Sequence, residues 1–167
     1  MSGRDEEFRE FTRNRASPLH QSAYLLCGDW HLAHDLVQDT LVKAYQHWPR
    51  VRQADNPDAY VRRILINEVR GRWRRRDRAM PVARFPEGRE PVTPDATDDI
   101  ARRAGLLQAL LALPLRQRAT VILRYLEGMS ERETAAVLGC SEGTVKSQSA
   151  RALGTLRTFL ERTESAL

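Results

Sequence analysis

Apolar and small side chains recur along this chain at steps of three and four residues, the repeat of one helix face, and nowhere alternate by two for long enough to propose a strand. The longest stripe runs Ala33, Leu36, Val37, Thr40, Leu41, Ala44, Tyr45 and Trp48. Asp29 opens it, and Pro49 is expected to end it and leave Arg50 to Asn56 as a polar loop. Upstream, Asp5 to Arg15 reads as a short amphipathic helix with Phe8 and Phe11 on one side. Pro18 is expected to open a separate helix through Leu19, Ala23, Leu26 and Cys27, closed by Gly28. Downstream, Asn56 can cap a helix whose first turn holds Pro57 and Asp58 and whose inner stripe is Tyr60, Val61, Ile64, Leu65 and Val69. From Asp77 to Thr97, Pro81, Pro86, Pro91 and Pro94 with Gly88 oppose regular structure, so this stretch reads as a linker. Helical spacing returns near Asp98 with Ile100, Ala104, Leu107, Leu110 and Leu111, breaks at Pro114, resumes from Arg116 to Leu126, and turns at Gly128. The expected fold is all-α, with two small helical domains (1–76 and 99–167) joined by a flexible linker (77–98).

The stretch from Met129 to Leu156 predicts two helices around a tight turn. Ser130 and Glu133 have the spacing of a capping box, Ala135, Ala136 and Leu138 are expected to point inward, and Gly139 suits a left-handed helix end. Ser141 can cap the second helix, with Val145, Ser149, Ala152 and Leu156 inside and Lys146, Ser147, Gln148 and Arg151 outside. This is the helix-turn-helix arrangement, whose second helix fits a DNA major groove. Helical hairpins that bind nothing share the glycine turn. The chemistry of the second helix favours DNA, because Gly143 and Thr144 permit close approach while Lys146, Ser147 and Gln148 supply donors of groove-reading type. Glu142 can accept from a cytosine amino group or simply favour the helix dipole.

Composition sharpens this picture through its distribution. The 167 residues carry 27 basic and 22 acidic side chains, net +5, yet eight arginines and only two acids fall between Arg62 and Arg78. Arginines among Asn67 and Trp73 on one helix suit a surface that grips phosphates and stacks on bases; a solvated basic tail is the plainer alternative. Cys27 and Cys140 form no C-x-x-C pair and no disulfide framework, which fits a reducing, cytoplasmic setting. The first residues are charged, and no apolar run approaches the roughly 20 residues of a membrane span.

An enzymatic reading starts from His31, His34 and Asp35, within which the adjacent His34-Asp35 is similar to the metal-binding pair of HD phosphohydrolases. A hydrolytic site needs further ligands converging on one point, and His20 and His47 lie in other contexts. Phosphate loops and nucleophile elbows are missing from the sequence as well, so neither a cofactor nor catalysis is expected.

Asp35 to Tyr45, then Pro57 to Ile64 leading into the arginine-rich helix, the proline-rich linker, and Leu113-Pro114-Leu115-Arg116-Gln117-Arg118 ahead of the helix-turn-helix resemble the extracytoplasmic-function (ECF) class of bacterial sigma factors, in its actinobacterial SigE-like group. The resemblance covers nearly the whole chain in order. It implies a transcription initiation factor whose partners are core RNA polymerase and promoter DNA, with an anti-sigma factor as a partner that family members often bind. It implies that Asp35, Gln38 and Asp39 meet the polymerase, and that Asp55, Asn56, Arg62, Arg63, Asn67, Arg70, Trp73 and Arg74 serve the minus-10 element. It further implies that Glu142, Gly143, Thr144, Lys146, Ser147, Gln148 and Arg151 face the minus-35 element, and that the linker acids Glu87, Glu90, Asp95, Asp98 and Asp99 imitate nucleic-acid charge. Lysine and glutamine stand where many members carry arginine, which favours an adenine contact by Gln148 over bidentate guanine recognition. The competing reading is a stand-alone helix-turn-helix repressor or activator, which would leave the acidic face of the long helix and the arginine-rich helix without a role.

Overall fold

The structure, a computed structural model, describes residues 2–79 and 98–166. The helices are α1 (Gly3–Cys27), α2 (Trp30–Gln46), α3 (Trp48–Gln53), α4 (Pro57–Ala79), α5 (Asp98–Ala112), α6 (Leu115–Val121), α7 (Glu131–Leu138) and α8 (Glu142–Ser165), with one π-helical turn (Ile122–Leu126) continuing α6. The fold is all-α. Residues 80–97, most of the expected linker with Glu87, Glu90 and Asp95, lie outside the described residues, and α4 continues to Ala79, past the boundary expected at residue 76.

Two proline rules fail here for tertiary reasons. Pro18 does not open a helix; it lies inside a continuous α1. The helix-breaking cost of about 3 kcal/mol is offset because apolar contacts anchor α1 on both sides of Pro18, through Phe8 and Phe11 before it and Leu19, Ala23 and Leu26 after it. Phe8 and Phe11 both meet the buried Trp48 ring at 5.3 Å between centroids, while Leu19, Ala23 and Leu26 enter the core. Pro49 does not leave a long loop either. It sits in the first turn of α3, where its missing N–H costs no helical bond, and α3 buries Trp48 and Val51. The polar loop shrinks to residues 54–56.

The start of α2 follows its sequence closely. Asp29 accepts from the backbone N–H groups of His31 (2.8 Å) and Leu32 (3.1 Å), and Ala33, Leu36, Val37, Thr40, Leu41 and Ala44 are buried. Thr40 is tolerated inside because its hydroxyl donates to the Leu36 carbonyl at 2.7 Å.

The two helical units pack on one another. A single apolar cluster joins Leu19, Leu26, Leu65, Ile66 and Val69 of the first unit to Ala119, Ile122, Leu123, Met129, Val137 and Leu138 of the second, and a smaller cluster holds α5, α6 and α8 together around Leu110, Leu113, Val121, Ala152 and Leu156. Gly28 shows how close the approach is. At φ 76° it takes the left-handed conformation that ends α1, and a Cβ there would lie 2.7 Å from a methyl of Leu111 on α5.

Polar groups bind the same seam. Arg118 is buried, yet its guanidinium donates to the carbonyls of Leu110 (2.9 Å), Leu111 (3.2 Å) and Leu113 (2.9 Å) and to Leu26 at the end of α1. It thereby satisfies the open C-termini of two helices, one from each unit. Burial also lowers its pKa from the ordinary guanidinium value. Nearby, the Glu127 carboxylate accepts from Arg62 Nε and from the Ser22 hydroxyl, and Arg62 also pairs with Asp58.

Candidate nucleic-acid interface

The helix-turn-helix is built by its caps. Ser130 Oγ accepts from Glu133 N at 3.0 Å, Gly139 ends α7 at φ 66°, and Ser141 Oγ accepts from Thr144 N at 3.1 Å to start α8. Val145, Ser149, Ala152 and Leu156 are buried along α8 as the spacing requires. One inward assignment is corrected. Ala136 is exposed and Val137 is buried instead, because residues 134, 135, 137 and 138 share one side of the helix and 136 points opposite.

The outer face of α8 presents Glu142, Gly143, Lys146, Ser147 and Arg151 exposed, with Thr144 and Gln148 half-buried. Three of these side chains are already held. Thr144 Oγ1 lies 2.9 Å from Ser141 Oγ, Ser147 Oγ donates to the Thr144 carbonyl at 3.0 Å, and Lys146 Nζ lies 3.7 Å from Glu131. Gln148 and Arg151 carry no such pairing among the described contacts, so their donors and acceptors point out of a rigid helix backed by its own core.

The residues expected at the minus-10 element divide in three by exposure. Asp55, Asn56, Arg63, Asn67 and Arg74 are exposed, and Asn56 Oδ1 caps α4 by accepting from Ala59 N at 3.1 Å. Arg70 is half-buried, and Trp73 packs half-buried against the first core. Arg62 stands apart: it is 8% exposed and bound to Asp58 and Glu127, so in this arrangement it faces the second unit. Arg63 lies against the turn of the helix-turn-helix, its Nη2 at 3.6 Å from the position of a Cβ on Gly139.

On α2, Asp35 and Gln38 are exposed, while Asp39 is half-buried and pairs with Arg72 of α4 at 3.0 Å. Lys43 likewise pairs with the buried Glu68. Sequence reasoning missed Arg72, Arg118 and Glu127. Arg118 had a signal in its place just after the Leu113-Pro114 break, where the carbonyls ending α5 need donors; Glu127 had none, since its partner is distant in sequence.

Two tied helical units, one carrying an arginine-rich helix and the other a helix-turn-helix with an outward donor-rich face, define a two-part DNA-binding protein. The family model for sigma-70 region 2 matches residues 12–79, and the model for sigma-70 region 4 matches residues 103–156. The chain is 43% identical over 155 residues to RNA polymerase sigma-E factor of Streptomyces coelicolor, a match covering 92% of this chain and 86% of that one. It is 32% identical to the ECF RNA polymerase sigma factor SigM of Mycobacterium tuberculosis, over 96% of this chain and 80% of that one. Among solved structures it is similar to the sigma factor RpoE of Bartonella quintana in complex with the anti-sigma factor NepR, with a TM-score of 0.80, 29% identity and coverage of 93% and 98%. The chain belongs to the ECF group of the sigma-70 family, in its actinobacterial SigE-like branch. Its members are regulators of transcription initiation rather than classical enzymes. Among the described residues no helix is long and apolar enough to cross a membrane.

Proposed function

We propose that this chain directs core RNA polymerase to specific promoters and promotes strand opening, acting in the cytoplasm and without catalysis of its own. The observation that carries the reading is the presence of faces of unlike chemistry, one acidic and amide-bearing and two rich in cationic and hydrogen-bond donors, on a single all-α chain. Asp35, Gln38 and Asp39 crown a helix whose other side is fully buried, a surface suited to a protein partner. Arg63, Asn67, Arg70, Trp73 and Arg74 on α4, with Asp55 and Asn56 before it, serve the minus-10 element. Glu142, Gly143, Thr144, Lys146, Ser147, Gln148 and Arg151 serve the minus-35 element. Arg62 joins the first group once Glu127 has left with the second unit and a phosphate has displaced Asp58, its neighbour on α4; both carboxylates occupy its guanidinium in the closed arrangement. The relation to a sigma factor solved with its anti-sigma factor supports an anti-sigma protein as a further partner.

The test adds core polymerase to the purified chain and a promoter library. Promoter-selective binding and permanganate-reactive strand opening are expected only in the presence of core. Changing Asp35 and Asp39 together to alanine should weaken co-purification with core at unchanged helicity. Selective binding at full strength without polymerase would instead support the stand-alone repressor or activator.

A further inference from the structure

The seam between α1 and α2 carries a histidine pair that neither the polymerase face nor the DNA faces use. His20 Nδ1 lies 2.8 Å from the Ala16 carbonyl, and His20 Nε2 lies 3.3 Å from His34 Nδ1. A carbonyl oxygen only accepts, so His20 Nδ1 holds the proton and neutral His20 turns the lone pair of Nε2 toward His34. A carbonyl bond on the remote nitrogen is also what fixes the tautomer and orientation of metal-binding histidines. Two imidazole nitrogens bound at 2.0–2.1 Å to one tetrahedral ion lie about 3.3 Å apart, which is the separation found here. The ring centroids, 5.4 Å apart, leave the two nitrogens as the nearest parts of the rings.

We propose that His20 Nε2 and His34 Nδ1 form a two-histidine site for a divalent first-row transition ion, which would tie α1 to α2 across their seam. Imidazole pairs suit copper, nickel and zinc rather than magnesium or calcium. Among the described residues no group of three or more histidine, cysteine, aspartate or glutamate side chains could hold a metal, so water completes the coordination. The proposed site is therefore open and exchangeable, unlike the hydrolase centre built on His31, His34 and Asp35 that the sequence raised. His34 takes part as its Nε2–H tautomer, so binding at neutral pH moves one proton from Nδ1 to Nε2 and requires neither oxidant nor cofactor. One helical turn away on each helix, Tyr24 and Trp30 stack with centroids 4.3 Å apart and planes 8° from parallel. That neighbouring rung gives the site a built-in reporter, since Cu²⁺ and Ni²⁺ quench indole fluorescence at short range.

The experiment uses the full chain with CuSO₄, NiSO₄ and ZnCl₂ as probes and MgCl₂ as control, read by calorimetry, thermal unfolding and tryptophan emission. One equivalent is expected to bind, with copper tighter than nickel. A hundredfold excess over Kd should raise Tm by about 5 °C or more. His34→Gln, at an exposed position, and His20→Gln should each weaken binding at least about tenfold and abolish the Tm rise; His31→Gln should change neither. Copper quenching should be lost in Trp30→Phe while calorimetric binding persists. No saturable binding by any of the three ions would overturn the site and leave a plain histidine–histidine hydrogen bond. Binding lost in His31→Gln as readily as in His34→Gln would also overturn it, placing the ion on α2 alone. Because these readouts need neither DNA nor polymerase, failure of the promoter reading would leave the metal result intact.

Discussion

Glu127→Ala tests whether the two units are held closed by specific chemistry. The Glu127 and Arg62 side chains are 11% and 10% exposed, and Glu127 receives both Arg62 Nε and the Ser22 hydroxyl. Removing one partner of a buried ion pair costs about 3–5 kcal/mol because the other charge is left without compensation. Asp58 still pairs with Arg62 and is itself 25% exposed, so part of that cost is recovered, leaving about 2–3 kcal/mol. The bond spans the units, so the loss falls on their docking and corresponds to roughly a 30- to 150-fold shift toward the open arrangement. Small-angle scattering should show a larger radius of gyration, and urea unfolding should become less cooperative. In a double-mutant cycle with Arg62→Ala the two changes should couple by about 1 kcal/mol or more. Additivity within about 0.5 kcal/mol, together with an unchanged radius, would refute the claim that this contact holds the closed form.

Arg118→Met removes the donors for the carbonyls of Leu26, Leu110, Leu111 and Leu113; chemical denaturation should register a loss of about 2–4 kcal/mol, whereas a surface control such as Arg103→Met should stay near zero. Burial holds the Cys27 thiol protonated, its pKa pushed up from 9.0 to about 11, so iodoacetamide at pH 8 should label Cys140 well before Cys27, as peptide mapping would reveal. In the window from about 9 to 11 the folded chain keeps a proton on Cys27 that the unfolded chain releases, so stability should fall as pH rises through it, and Cys27→Ala should flatten that slope. Gln148→Ala should relax base preference at one upstream promoter position at a cost of about 1–3 kcal/mol. Arg151→Ala should weaken all sequences alike and lower the salt slope by about one unit, both read by promoter-library selection with core polymerase.

What the sequence made legible is whatever depends on neighbours within a turn or two. The Asp29, Ser130 and Ser141 caps, the Gly28 and Gly139 helix ends, the α2 stripe from Ala33 to Ala44 and the α8 stripe follow from local spacing, and the structure places them there; the last two members expected on α2 differ, since Tyr45 is exposed and Trp48 is buried from α3. Local rules failed where a distant surface outweighed them. Pro18 stays inside α1 because Phe8 and Phe11 reach Trp48, which no window of sequence around Pro18 contains. Helix α4 has a second buried side, Arg62 and Ile66 one turn apart, beneath the stripe that periodicity revealed. A single-stripe reading assigns that side to solvent, and only the docking of the second unit makes it interior.

The arginine-rich segment shows why composition alone overstates a binding surface. A guanidinium fork fits a carboxylate by the same geometry with which it fits a phosphate, so a run of arginines does not reveal which partner each will take. Arg62 is committed to Glu127 and Asp58, and Arg72 bridges to Asp39 on the face assigned to polymerase, whereas Arg63 and Arg74 remain exposed. Arg72 and Asp39 are 36% and 49% exposed in their side chains, so that bridge is weak and easily exchanged, while the Arg62 pairing is nine-tenths buried. The two bonds therefore answer to different events. A partner docking on α2 can draw Asp39 away and free Arg72 with the fold intact, whereas Arg62 is held both by Glu127 of the second unit and, whatever that unit does, by Asp58 of α4 itself. Departure of the second unit would remove Glu127 but not Asp58, leaving Arg62 in an i,i+4 pair open to solvent, for which a phosphate oxygen can compete on equal geometric terms.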